Sequence, residues 1–117
     1  MLPIALLGIL LVQCNQSKES AYPEFEVVSY QQEYKDYGAP YLIIKIKNTG
    51  NAAGFNVYCE AVAKTDVRII DSAWAYFKNG DPIYPGEIAT DEAVFLNIKT
   101  HNQYKVLDFK LKWQSLD

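Results

Sequence analysis

The sequence predicts an all-β chain folded as an antiparallel sandwich of about seven strands. Three observations carry that expectation. Apolar and polar residues alternate with a period of two in several stretches. Gly, Pro, Asn and Asp cluster between those stretches, and no stretch sustains a period of 3.6. The 117 residues allow one domain, and half of them are hydrophobic, enough to fill a sandwich core.

Leu2 to Val12 is a continuous apolar run, too short to span a bilayer. It fits the apolar centre of a signal peptide over residues 1–13. The alternative is a buried N-terminal element, which the polar run Asn15 to Ser20 opposes by detaching it from the fold. Leu11-Val12-Gln13-Cys14 resembles the lipobox of bacterial lipoproteins. The resemblance implies that Cys14 is acylated and becomes the first residue of the mature chain. It implies a membrane partner held through the N-terminal lipid, and a place in a bacterial cell envelope. In a Gram-negative cell, Asn15 after the cysteine favours the outer membrane. Two or more acyl chains hold a protein stably where one does so marginally. Residues 14–22 then form the lipidated cysteine and a flexible tether, and residues 23–117 form the domain. The Lys or Arg that ordinarily precedes such a leader is absent, and Lys18 is the first basic residue; a start upstream of Met1 would account for it.

The strands follow in order. Phe25 to Tyr34 is the first; its imperfect alternation allows a bulge. Lys35 to Pro40 is a loop, since Gly38 accepts positive φ and Pro40 cannot donate to a ladder. In Tyr41 to Lys47, Leu42, Ile44 and Ile46 share the core face. Asn48 to Asn51 breaks the run, and Val57, Cys59, Ala61 and Ala63 resume it, opposed by Tyr58, Glu60 and Lys64. These two strands read as a central hairpin. Val67 to Ile70 and Ala73 to Phe77 read as strand pieces with a kink at Asp71-Ser72. Turns follow at Asn79 to Pro82 and Pro85 to Glu87. Asp91 to Thr100 is a strand with Val94, Leu96 and Ile98 on one face and Ala93, Phe95 and Asn97 on the other. His101 to Gln103 turns the chain into the last strand, Lys105 to Trp113. There Leu107, Phe109, Leu111 and Trp113 face inward and Asp108, Lys110 and Lys112 outward.

Asn48-Thr49-Gly50-Asn51, Ala53, Asn56-Val57, and Pro85-Gly86-Glu87 before a strand with Phe95 make a recurring pattern. It is similar to the small immunoglobulin-like domains of bacterial envelope proteins, in particular the FxLYD-type family, over Tyr41 to Trp113. The resemblance implies an immunoglobulin-like sandwich without enzymatic activity. It supplies no ligand or functional residue to carry over.

Catalysis finds no constellation in the sequence. His101, the one histidine, has no cysteine or acid at metal spacing and reads as a solvated loop residue. Asp66, Asp71, Asp81, Glu87, Asp91 and Glu92 lack calcium-loop spacing and read as loop solvation. No cofactor or metal is expected. The net charge of −3, with lysines and acids interspersed, argues against nucleic acid. Cys59 pairs with Cys14 or fills the core as a small hydrophobe; lipid on Cys14 favours the second. Nine tyrosines leave one functional candidate: Trp74 and Tyr76 on one strand face, with Tyr58 beside them if its strand is adjacent. That row is either core, with Ala75 and Phe77 outside, or an exposed surface for a sugar ring or protein partner. Aromatics usually fill sandwich cores, which favours the first. The expected function is a non-enzymatic, lipid-anchored envelope module that binds or supports a protein or glycan partner. Two variants are a glycan-binding module and a subunit that joins a larger complex by strand addition at the last strand.

Overall fold

The computed structural model describes residues 20–116. The leader, Cys14 and most of the tether lie outside the described residues. Among those described, six strands form two antiparallel three-stranded sheets. They are β1 (Phe25–Tyr34), β2 (Pro40–Asn48), β3 (Gly54–Lys64), β4 (Ile69–Tyr76), β5 (Ile88–Val94) and β6 (Val106–Ser115). One sheet has the order β1-β2-β5 and the other β4-β3-β6. The all-β sandwich expected from the sequence is present, with six described strands where about seven were expected.

The alternation does the folding. Leu42, Ile44 and Ile46 of β2 are completely buried against Val57, Cys59, Ala61 and Ala63 of β3. Ala73 and Ala75 on β4 and Ala89 and Ala93 on β5 keep the rest of the interior narrow, and Phe77, Ile83, Phe95 and Ile98 fill its ends. Val27 and Ser29 flank a register shift in β1, the expected bulge. It switches the inward positions from Phe25 and Val27 to Tyr30 and Gln32, which then oppose Ile44 and Leu42. Leu107, Phe109, Leu111 and Trp113 of β6 face the core as expected but stay half-buried, because β6 is an edge strand.

Several expectations are corrected. β2 and β3 are not a hairpin: they lie in opposite sheets, and residues 49–53 carry the chain across the sandwich. Period-two alternation looks the same in a hairpin and in two strands that face each other across a core. The stretch expected to kink at Asp71-Ser72 is one continuous strand, β4. The strand expected over 91–100 starts at Ile88 and ends at Val94, which puts Asp91 and Glu92 in a strand. The buried Asp71 carboxylate stops it. Its Oδ2 accepts the amides of Asn97 (2.8 Å) and Ile98 (3.1 Å), which diverts the chain from the ladder. Ala93 and Phe95 point inward and Leu96 outward. Asp71 is therefore a buried structural acceptor and not a solvated loop acid.

Asn48 organises the crossover. Its side chain is fully buried. Nδ2 donates to the carbonyls of Ala52 and Ile83, both at 2.9 Å, and Oδ1 accepts the Gly50 amide at 2.9 Å. Its own backbone donates to the Glu87 carbonyl and accepts from Gly86 N–H. Gly50 lies so close to the incoming N-terminal segment that a Cβ would sit 2.5 Å from Glu24 N and Tyr22 O, which only glycine avoids. Replacing Asn48 with Ala leaves the Ala52 carbonyl and the Gly50 amide without their side-chain partner and takes one of two donors from the buried Ile83 carbonyl. Stability should fall by at least about 2 kcal/mol, the scale of one buried group left unpaired. Thermal denaturation checks this, and an unchanged Tm contradicts it.

Candidate binding face

The outer face of the β4-β3-β6 sheet is built in cross-strand rows. Tyr76 lies opposite Tyr58, and Tyr58 opposite Lys112. The next row is Trp74, Glu60 and Lys110. The core orientation of Trp74 and Tyr76 is overturned: they are 46% and 61% exposed, while Ala73, Ala75 and Phe77 are buried. The reason is register. Ala73 and Ala75 pair with Ala61 and Cys59 on the inner face, and strand alternation turns Trp74 and Tyr76 outward.

Tyr58 and Tyr76 come together, with ring centroids 5.6 Å apart and planes inclined by 30°. They line an open groove of about 630 Å³ with Asn56, Asn79, Gln114 and Lys112 on its walls. Trp74 stays outside the groove and borders a separate depression with Leu96 and Asn97. The structure thus unites two of the three aromatic candidates and leaves the third one row away.

The groove wall departs from ordinary backbone. Phe77 plugs the core, and the chain then turns through three left-handed residues, Lys78 (φ 53°), Asn79 (φ 53°) and Gly80 (φ 91°). Asn56 on β3 is also left-handed, at φ 51°, within the register shift between Phe55 and Tyr58. Asn tolerates this region and lysine does so less readily, so the turn stores strain that its contacts must offset. Asn56 Nδ2 donates to Gln114 Oε1 at 2.6 Å. Lys78 Nζ donates to the Pro82 carbonyl and to Glu87. Lys78, and then the Tyr84 amide, hold the Glu87 carboxyl below its ordinary value.

Charge is sparse in the groove. Lys112 is the one charged side chain among its lining residues. The ion pairs among the described residues lie elsewhere: Lys35–Glu92, Lys64–Asp108, Lys78–Glu87 and Lys105–Asp66. Asn56, Asn79, Gln114 and Lys112 were not candidates for binding in the sequence. Only the pairing of β3 with β4 and β6 brings them to the tyrosines, and alternation within one strand carries no signal of its partners.

His101 is buried, not solvated. Its Nε2 lies 2.9 Å from the Glu33 carbonyl, which can only accept, so Nε2 carries the proton. Nδ1 then accepts from Tyr104 Oη at 2.8 Å, and that oxygen accepts from Gln32 at 2.6 Å. Both ring nitrogens are occupied in joining β1 to the 101–104 turn. Among the described residues, no group of three His, Cys, Asp or Glu side chains could hold a metal ion.

No family model matches the chain, and no curated protein matches it. Among solved structures it is similar to DesR, a β-glucosidase from Streptomyces venezuelae solved in complex with D-glucose. The TM-score is 0.44 and the identity 10%, over 79% of this chain and 15% of that one. At that distance the likeness bears on neither activity nor ligand.

Cys59 is a free, buried thiol on the core face. Burial pushes it up from the ordinary 9.0 to about 11. Between those values the unfolded chain gives up a proton that the folded chain keeps, so stability falls as pH rises through that window. In alkaline denaturation, Cys59→Ala should show a shallower decline than wild type, by up to roughly 1.4 kcal/mol per pH unit. Coincident curves would contradict the buried-thiol account.

Proposed function

We propose that this chain is a non-enzymatic binding module of a bacterial cell envelope, held to a membrane by lipid on Cys14. The observation that carries the binding role is the outward aromatic row: Tyr76 and Tyr58 meet on a solvent-facing sheet above a groove. Tyrosine gives large contact area together with a polar tip, which suits a surface that is wet when free and covered when bound. The lipobox-like Leu11 to Cys14 and the apolar run before it support the anchor. The turn chemistry that resembles FxLYD-type domains supports an immunoglobulin-like envelope module.

The reading carries a position for the domain. The fold takes hold of the chain at Tyr22, whose amide donates to Asn51 Oδ1 at 2.8 Å and whose carbonyl accepts from Asn51 N–H at 3.0 Å. Residues 15–21 extend at most about 25 Å. Tyr22 lies at the end of the sandwich where Gly54 pairs with Ser115, and Asn56 and Gln114 follow directly on those strands. The anchor therefore brings the groove end of the domain close to the membrane.

A second reading rests on β6. It runs for ten residues and pairs with β3 alone among the described strands, leaving its other edge open. Phe109 on β6 and Tyr30 on β1 meet in a tilted pair with centroids 5.1 Å apart across that open seam, and Val28, Tyr30 and Val106 are each nearly half exposed. A strand from an envelope partner would pair with this edge and cover the seam.

Cys14→Ser should move the protein from the membrane fraction to the soluble fraction after cell lysis. Membrane association that survives the substitution and a high-salt wash would contradict the anchor.

A further inference from the structure

We infer that the Tyr58–Tyr76 groove binds an acidic carbohydrate, a pyranose that carries a carboxylate. The inference rests on the reading of this face as the module's contact surface, and it names the ligand. Three features of the groove select that chemistry, and their residues come from β3, β4, β6 and the turn after β4.

The first is the pair of rings. Tyr76 and Tyr58 stand on adjacent strands as an offset pair, with centroids 5.6 Å apart and planes inclined by 30°, and Tyr76, 61% exposed, offers its ring as the platform. A saturated six-membered ring presents a face of C–H groups to such a platform and keeps its hydroxyls at the rim. A flat hydrocarbon would gain nothing from what lies there.

The second is the rim. Asn56, Asn79 and Gln114 set amide groups around the tyrosines. Amides donate and accept at once, which matches hydroxyls that also do both. Asn56 is joined to Gln114, so the two are ordered before any ligand arrives. The left-handed turn over Lys78 to Gly80 places Asn79 on the opposite wall. A Cβ at Gly80 would stand 2.7 Å from Asn56 Oδ1, so this glycine keeps the turn and the amide in contact.

The third is Lys112. It closes the row Tyr76, Tyr58, Lys112, so its ammonium adjoins the ring floor one strand beyond Tyr58. Strand spacing of about 4.8 Å puts it within reach of a substituent on a ring seated over Tyr58. The lining holds no acid, and none of the ion pairs among the described residues involves Lys112. A single cation beside a neutral, aromatic and amide-lined floor complements one carboxylate on a sugar. The pocket volume of about 630 Å³ is in the range of small-ligand sites and accommodates a short oligosaccharide. A nucleic acid would require a larger cationic surface than one lysine on a chain of net charge −3.

The test is calorimetric titration of the full chain carrying Cys14→Ser, with trigalacturonate and with its methyl ester as the neutral counterpart. The acid should bind about fivefold more tightly than the ester, the ratio that an exposed ion pair of about 1 kcal/mol gives. Lys112→Gln should abolish that preference by weakening binding of the acid to the level of the ester. Tyr76→Ala should remove binding of both, with the Tm retained because Tyr76 is on the outer face. Equal affinity for acid and ester in the wild type overturns the acidic ligand while leaving the aromatic surface standing. Binding that Tyr58→Ala and Tyr76→Ala both leave intact overturns the surface as well. Failure to bind either sugar, with Lys112-dependent binding to anionic phosphatidylglycerol vesicles instead, overturns the carbohydrate in favour of a membrane contact.

Discussion

The Asn48 carboxamide is the contact on which the rest of the molecule depends. A two-sheet sandwich needs a chain crossing between layers, and a buried crossing leaves peptide groups without ladder partners. Asn48 supplies those partners from one side chain, binding Ala52, Ile83 and Gly50 at once. Through Ile83 it ties the 81–87 loop to the start of β3, where Gly54 and Ile83 form their own bridge. That loop holds Glu87, which binds Lys78 and so supports the left-handed turn beside the groove. The line from a buried amide in the crossover to the wall of the surface groove is continuous in hydrogen bonds.

The second constraint is the run of small side chains on the inner face of β3 and β4. Four inner positions there are alanine, at Ala61, Ala63, Ala73 and Ala75. They occupy the middle of that face with small side chains and leave the large rings to the other positions. Phe77 and Phe95 enter only beyond the strand ends. Trp74, Tyr76 and Tyr58 are therefore placed on the outside by packing, and the outer sheet face carries the aromatic surface.

Much of this was legible in the sequence. The strand limits of β1, the core faces of β2, β3 and β6, and the buried state of Cys59 all follow from alternation. The turn at 85–87 follows from its Pro-Gly pair, and the one expected at 79–82 falls two residues earlier, at Phe77–Gly80. What was not legible depends on partners distant in sequence. Alternation in β2 and β3 could not say whether they share a sheet. Asp71 and His101 looked like solvated polar residues because their acceptors and donors, at Asn97, Ile98, Glu33 and Tyr104, lie far away or across a turn. The orientation of Trp74 followed a general preference of aromatics for cores, and the local run of alanines outweighed it. Of the groove, the two tyrosines were visible as candidates. Lys112 and the amides were ordinary surface residues until strand pairing set them beside the rings.

The aromatic groove and the open edge of β6 are on different parts of the same sheet, and this separation makes the central claim directly measurable. Backbone amide resonances can be followed by NMR while envelope glycan fragments are added to the folded domain. The proposed contact surface predicts shifts confined to residues 56–58, 76–80 and 112–114, with the Trp74 indole little changed. Shifts that cluster instead at Val28, Tyr30 and Val106 to Phe109, with the groove silent, would contradict it.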